Sequence, residues 1–327
     1  MQLAIIVYLA LAASVHAHLA AFTKGMYCLN GSTGNNLNSD DPNLPLYDLE
    51  FDQWWMHAFN GCDKRPPNPG DNLTLPAGGS VTLQLGSNQA FTDMSYGGKF
   101  MTAWPNGQSY PDNYNDASCI TAPNLHTQNE SMAAGTALAI SYQSDITKVT
   151  PENLVVMSVA YNTPFKLLAT YHIPAGLPAC PKEGCICAWS WIPNGCGQSN
   201  MYLEAIRCTV TGETGSKPLG TPKPPVWCQN NSSACVKGPK QMLYWHQASG
   251  NNIVVDGYDL AGEPKSPGYN AKCGFANGAQ NDIFESTTSV SKRSTDIATA
   301  ESSSQKNVTT SKSAHRRRRR NFGADTF

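Results

Sequence analysis

The stretch MYLEAIRCTV (residues 201–210) is typical of a β-strand, because aliphatic, aromatic and β-branched side chains dominate it. SVTLQL (80–85) alternates polar and apolar residues, as a strand with one buried face does. Four further stretches have a similar strand-forming composition: NLVVMSVAY (153–161), FKLLATYHI (165–173), QMLYWHQ (241–247) and NNIVVDGY (251–258). Clusters of Pro, Gly and Asn between them favour turns. Only residues 48–59 predict a short helix.

Short strands joined by long loops that cysteines tie together predict a mainly β fold. We expect an antiparallel, immunoglobulin-like β-sandwich with long disulfide-tied loops. Residues 18–285 are enough for one domain with a substantial core. Beyond residue 285 the composition changes to Ser, Thr, Lys and Ala, with five consecutive arginines at 316–320. That segment has few large apolar residues, so residues 286–327 predict a disordered basic tail.

The amino-terminal segment has the features of a secretory signal peptide. Residues 3–13 form an uncharged apolar run that is too short to span a bilayer. Signal peptidase requires small residues at positions −3 and −1, which Val15 and Ala17 provide. We therefore predict a signal peptide at residues 1–17 and a mature chain that begins at His18. A cut after Ala12 is the alternative that the sequence leaves open.

Cysteines and glycosylation sequons agree with export to the extracellular space. The chain has 11 cysteines, which in an oxidising compartment predict up to five disulfides and one odd thiol. We favour Cys273 as the odd thiol, and a local bridge between Cys228 and Cys235. The cysteines at 180–196 cluster, but they lack the paired C-x-x-C spacing of a zinc site. Asn-x-Ser/Thr sequons occur at Asn30, Asn72, Asn129, Asn230, Asn231 and Asn307.

The charge distribution limits the classes of partner. The net charge of the whole chain is −1, whereas residues 291–327 hold nine basic and three acidic side chains, so residues 1–290 carry −7. An acidic, exported body argues against nucleic acid as the partner of the arginine run. No segment after the predicted signal peptide is apolar enough for a membrane span. We expect a secreted monomer.

A mature chain that begins with histidine offers an unusual chelate. Its α-amino group and imidazole Nδ1 can bind one metal ion, and the amine has a pKa of about 7.7–8.0, low enough for a metal to displace its proton. A second histidine would complete a planar set of three nitrogens, which suits copper(II). The alternative is that His18 is simply the residue that trimming leaves behind.

Several histidines could supply the other imidazole. His57 lies beside two tryptophans, which favours packing in the core, and His315 belongs to the predicted tail. His172 and His246 fall in predicted strands, where they could be exposed. His126 lies in the polar loop CITAPNLHTQNES, so we expect it near the surface, where a metal could meet a polymeric substrate. Composition alone leaves the choice among them open.

Seven motifs together resemble one family of fungal enzymes, the lytic polysaccharide monooxygenases of auxiliary activity family fourteen. They span essentially the whole predicted domain: HLAAFTKGMYCLNG (18–31), DQWWMHAFNGCDKRPP (52–67), NLHTQNES (124–131), ISYQSD (140–145), ENLVVMSVA (152–160), WIPNGCGQSNMYLEAIRC (191–208) and KQMLYWHQASGNNIVVDGY (240–258). The combination is specific, because an amino-terminal histidine alone would fit several other monooxygenase families.

The resemblance implies an immunoglobulin-like β-sandwich with one copper ion that cycles between Cu(II) and Cu(I). The ligands it implies are the amine and side chain of His18, the side chain of His126, and Tyr202 at the axial position. It further implies oxidative cleavage of xylan on cellulose, with an external electron donor and O2 or H2O2 as co-substrate. A hydrolase would need two opposed carboxylates, and the sequence singles out no such pair.

Two other interpretations of the sequence remain. One is a secreted protein that binds copper through the same ligands without catalysis. The other is a metal-free cell-wall sandwich that binds carbohydrate. On its own, Tyr202 would be read as an ordinary half-buried strand tyrosine, and only the joint match with His18 and His126 favours a site.

Overall fold

A computed structural model describes residues 18–259 and 262–285. The predicted signal peptide (1–17) and the predicted basic tail (286–327) lie outside the described residues. The described part of the chain contains nine strands: β1 (Ala20–Phe22), β2 (Leu73–Pro76), β3 (Ser80–Gly86), β4 (Thr136–Ser141), β5 (Val155–Ala160), β6 (Leu168–His172), β7 (Cys185–Trp191), β8 (Tyr202–Thr211) and β9 (Gly278–Ala279).

Helices in the described residues are short. The region predicted to be helical contains α1 (Phe51–Trp54). A capping box between Glu50 and Gln53 stabilises the first turn of this helix. None of the described helices is both long and apolar enough to cross a membrane. The remaining helices are 3-10 turns at Asp41–Asn43, Trp55–Asn60, Cys62–Lys64, Gln89–Phe91, Tyr96–Gly98, Glu130–Met132, Ile146–Lys148, Ser232–Ala234 and Ala271–Cys273.

The strands form two sheets, and the mainly β prediction is confirmed. A three-stranded antiparallel sheet has the order β1-β3-β6, and a six-stranded sheet has the order β2-β8-β7-β4-β5-β9. One pair departs from the expected antiparallel arrangement, because β2 runs parallel to β8 with Leu73 opposite Cys208. This pair joins an edge strand to the long strand β8 and leaves the rest of the sheet antiparallel.

The central strands β4, β5 and β7 of the six-stranded sheet are buried on both faces. Towards the three-stranded sheet, Ile206 of β8 shares a core cluster with Leu85 of β3. On the opposite face, Leu203 of β8 packs in a second cluster with Trp54 and Tyr244. Loops and α1 therefore cover a face that a simple two-sheet sandwich would expose to water, and the burial of both faces adds to the hydrophobic stabilisation of the sheet.

Burial on both faces and small side chains together explain why β4 and β7 were not predicted. All residues of β4, β5 and β7 are buried, so none of them alternates as a half-exposed strand does. The valines of β5 still indicated a strand, whereas TALAIS and CICAWSW are rich in Ala, Ser and Cys. The other unpredicted strands, β1, β2 and β9, have at most four residues. Strands this short give too few positions for a pattern to be recognised.

Two predicted strands are wrong. Residues 241–247 and 251–258 lie outside any strand. Some of their backbone groups bond to side chains instead of a ladder: Leu243 N–H donates to Tyr269 Oη (3.0 Å) and Tyr244 N–H to Asn252 Oδ1 (2.9 Å). Such segments need apolar side chains to cover the sheet, which is why they resemble strands in sequence.

Five disulfides tie the loops, as predicted, and Cys273 is a free, buried thiol. The bridge between Cys187 and Cys208 joins the neighbouring strands β7 and β8. The local bridge predicted between Cys228 and Cys235 is present. The remaining bridges are Cys28–Cys62, Cys119–Cys196 and Cys180–Cys185.

We predict that Leu138→Ala lowers the free energy of unfolding by about 2–5 kcal/mol, because it opens a cavity in the core. Leu138 is fully buried in β4, whereas Leu168 of β6 is 56% exposed. Leu168→Ala is therefore the matched control, with an expected loss below about 1 kcal/mol. Denaturant unfolding measures both; equal losses would contradict the described core.

Candidate metal centre

His18 and Tyr202 meet at one end of the sandwich. His18 lies two residues before β1, and Tyr202 is the first residue of β8. The Nδ1 atom of His18 is 2.7 Å from Tyr202 Oη, a hydrogen-bond distance. The side chain of Tyr202 is fully buried. The contact therefore brings the start of the predicted mature chain to the long strand of the opposite sheet.

Trp191 connects this pair to His126. Trp191 of β7 lies opposite Tyr202 in the ladder, and their rings stack with a centroid separation of 4.8 Å. The ring of His126 contacts Trp191 edge-on at 5.8 Å. The three residues that the resemblance implied thus belong to one continuous group, in which His18 contacts Tyr202 directly and His126 reaches Tyr202 through Trp191.

His126 is buried, and the expectation that it lies near the surface is wrong. Only 5% of the residue is exposed. The disulfide between Cys119 and Cys196 draws its loop inward. The Nδ1–H of His126 donates to the carbonyl oxygen of Cys196 at 2.6 Å. A loop that looks polar in sequence is held against the core by a bridge whose pairing the sequence did not reveal.

The other ring nitrogen of His126, Nε2, carries a lone pair. A carbonyl only accepts hydrogen bonds, so the bond to Cys196 places the proton on Nδ1 and leaves the lone pair on Nε2. That Nε2 atom is buried and has no hydrogen-bond partner among the described residues. Burial lowers the pKa of His126, against the raising effect of the Cys196 carbonyl. A neutral imidazole with a free lone pair is the form that binds metal ions.

Gly197 is required next to this imidazole. Its φ is +113°, a conformation that L side chains rarely adopt. A Cβ at this position would lie 2.9 Å from both Cε1 and Nδ1 of His126, too close for real contacts. Because residue 197 is a glycine, the backbone after Cys196 can pass close to the His126 ring, which is hydrogen-bonded to the Cys196 carbonyl oxygen.

Tyr202 is a protonated phenol. Burial raises its pKa well above the usual value, and the nearby Glu204 carboxyl adds to that effect. A protonated phenol can donate to His18 Nδ1 when that nitrogen carries a lone pair. The expectation of an ordinary half-buried tyrosine therefore does not hold, because Tyr202 is fully buried and joined to His18.

The other described histidines lie apart from this group. His57 is buried, as predicted, and burial lowers its pKa to about 4. Its ring contacts Phe59. His172 is exposed at the end of β6, whereas His246 is half-buried and outside any strand, contrary to prediction. Within residues 18–259 and 262–285, no group of three His, Cys, Asp or Glu side chains could hold a metal. A metal site here would therefore need ligands other than these side chains, such as the α-amino nitrogen of a chain that begins at His18.

Several residues of the group were not predicted from the sequence. Trp191, Cys196 and Gly197 all fall in WIPNGCGQSN, a motif that carried the family resemblance but gave no sign of their roles. Asn43 and Glu204 contact the backbone beside His18 and likewise escaped prediction. A single glutamate among the apolar residues of YLEAI (202–206) was the available signal for Glu204.

Comparisons with known proteins identify the family of the chain. A family model described as "Lytic polysaccharide monooxygenase AA14" matches residues 1–324. "AA14 family lytic polysaccharide monooxygenase A" of Trametes coccinea (strain BRFM310) is 36% identical over 288 residues, covering 84% of this chain and 63% of that protein. "AA14 family lytic polysaccharide monooxygenase B" of Talaromyces rugulosus is 37% identical over 281 residues, covering 82% of this chain and 93% of that protein. The chain thus spans less than two thirds of the first relative and nearly all of the second.

Among solved structures, the extended catalytic domain of H. jecorina LPMO9A aligns with 67% of this chain and 73% of its own, with a TM-score of 0.29 and 12% sequence identity. The family model matches nearly the whole chain, and the two relatives are more than one third identical to it. The chain belongs to the AA14 family of lytic polysaccharide monooxygenases.

Proposed function

We propose that this protein is a secreted, copper-dependent oxidoreductase that cleaves polysaccharide oxidatively, and that its substrate is xylan associated with cellulose. Membership of the AA14 family supports the reaction class. The choice of xylan on cellulose rests on the family resemblance of the sequence motifs. Five disulfides and the predicted signal peptide support secretion.

One observation carries the proposal: the buried Nε2 of His126 has no partner among the described residues, while its Nδ1 is fixed by Cys196. A carbonyl bond on one nitrogen, with the other left as a lone pair, is the usual arrangement of a metal-binding histidine. His18 would add its amine once the chain is processed to begin there, and its Nδ1 in place of the hydrogen bond that this nitrogen makes to Tyr202. Nitrogen donors of this kind fit copper.

His18, His126 and Tyr202 are the residues we propose to hold the ion. When bound, copper would supply one-electron redox chemistry, for which an external donor provides the electrons and O2 or H2O2 is the oxidant of the glycosidic linkage. The protein's own contribution is to fix and shield this position. Trp191 packs against both the Tyr202 and His126 rings, and the elevated pKa of Tyr202 keeps its phenol protonated.

Tight copper binding should depend on where the chain begins. We predict that protein starting at His18 binds Cu(II) more than roughly 100-fold tighter than protein that retains Ala17, because losing a direct ligand should cost more than the 10–100-fold typical of a supporting contact. His126→Ala should cause a similar loss, and His172→Ala, at an exposed position, should cause none. Isothermal titration calorimetry measures all four. Equal affinities for the two starting points would refute the amine ligand.

Gly197→Ala should weaken copper binding through His126. The new Cβ would displace the ring, so we expect an affinity loss of roughly tenfold or more. Gly70→Ala is the matched control, since Gly70 also has a positive φ (+89°) but a Cβ added there would meet no atom within 4 Å. Both variants carry backbone strain, yet only the first should change Cu(II) affinity. Unchanged affinity in Gly197→Ala would count against the assigned position of His126.

Catalysis separates the proposal from its alternatives. The copper-loaded mature protein, incubated with ascorbate, H2O2 and xylan-coated cellulose, should release oxidised oligosaccharides detectable by mass spectrometry. His126→Ala, or omission of ascorbate, should abolish them. Tight copper binding without these products would indicate a non-catalytic copper-binding protein. If the wild-type protein neither binds copper tightly nor yields these products, a metal-free sandwich would be indicated.

A further inference from the structure

Strand β1, which follows His18 in the chain, is very short. Its ladder with β3 covers Ala20–Phe22, and the last pair joins Ala20 to Gly86. β1 is also an edge strand, with β3 as its neighbour in the sheet. His18 and Leu19 thus lie beyond the ladder. Contacts other than strand pairing must hold the backbone of His18 in place.

Asn43 supplies one such contact. Its side-chain Nδ2 donates to the carbonyl oxygen of His18 and to that of Gly86, each at 3.0 Å. Asn43 is 2% exposed, so these bonds are shielded from water. The amide therefore bridges the ends of β1 and β3 at the point where their ladder stops. The 3-10 turn Asp41–Asn43 places it there.

Glu204 supplies the second contact. Its Oε2 accepts the backbone N–H of Ala21 at 2.9 Å. Glu204 is 3% exposed and lies two residues after Tyr202 on β8. Residues two apart on a strand face the same side. One face of β8 thus contacts both the ring of His18, through Tyr202, and the backbone that carries it, through Glu204.

We propose that Asn43 and Glu204 are positioning residues for the amino-terminal copper ligand, acting through the backbone of His18. This inference rests on the proposed function. The amine and the imidazole of a chelating histidine share one Cα, so a rotation of that residue moves both donors together. Bonds to the His18 carbonyl and the Ala21 N–H restrict that rotation before the metal binds. A preorganised ligand set binds more tightly because less ordering remains to be done on binding.

The first test replaces the donor without changing its shape. Asn43→Asp turns the NH2 that faces two carbonyls into an acceptor, and we expect Cu(II) affinity to fall roughly 10–100-fold. The copper EPR spectrum should become heterogeneous, and the backbone amides of residues 19–21 should exchange hydrogen faster in the metal-free protein. Asn252→Asp is the matched control: Asn252 Nδ2 also donates to a carbonyl, that of Met242, but in the cluster on the other face of the six-stranded sheet.

The second test uses Glu204 and remains informative if Asn43→Asp fails to fold. Glu204→Gln keeps an oxygen that can accept the Ala21 N–H, whereas Glu204→Leu removes it at similar size. We expect Glu204→Gln to retain wild-type Cu(II) affinity, and Glu204→Leu to lose roughly tenfold or more. A role in stability alone would lower the melting temperature of the metal-free protein without changing these affinities.

The outcomes distinguish this inference from the proposed function. Wild-type protein starting at His18 that does not bind Cu(II) tightly contradicts the proposed function itself. Tight wild-type binding that is unchanged in folded Asn43→Asp overturns the positioning role of Asn43. Equal affinities in Glu204→Gln and Glu204→Leu overturn that of Glu204.

Discussion

The hydrogen bond between Tyr202 Oη and His18 Nδ1 joins the two sheets at the end where the candidate centre lies. One partner begins the longest strand of the described residues, and the other precedes a strand of three residues. Because β1 pairs with β3 alone, the position of His18 depends on further contacts, among them those with Tyr202 of the opposite sheet and with Asn43. The fold thus uses a well-packed strand to place the residue that we predict to begin the mature chain, and a chain terminus is ordinarily the least ordered part of a protein.

Burial also determines the protonation and the orientation of His126 at this end of the sandwich. A histidine in water titrates near pH 6.5 and rotates freely, whereas His126 is enclosed and bonded at one nitrogen to Cys196. The Cys119–Cys196 bridge and Gly197 make that enclosure possible. A buried nitrogen without a partner is costly in an ordinary core. Coordination of a metal ion would remove that cost.

The sequence predicted the features that depend on local pattern. Alternation in β3 and the apolar character of β5, β6 and β8 identified four strands. The count of 11 cysteines predicted one odd thiol, and the favoured choice, Cys273, is the free one. The local pattern missed β4 and β7, which are buried on both faces, and it took the covering segment 241–247 for a strand. For the site, family motifs brought together His18, His126 and Tyr202. The burial of His126 and the anchoring by Asn43 escaped prediction, because both arise from contacts between residues far apart in the chain.

The central claim is that His18 and His126 form one copper centre with the processed amino terminus. EPR of Cu(II)-loaded protein that begins at His18, with and without 15N labelling, tests it most directly. We predict one axial signal with hyperfine coupling to three nitrogens: the amine, Nδ1 of His18 and Nε2 of His126. A signal with fewer coupled nitrogens, or one unchanged when Ala17 precedes His18, would contradict it.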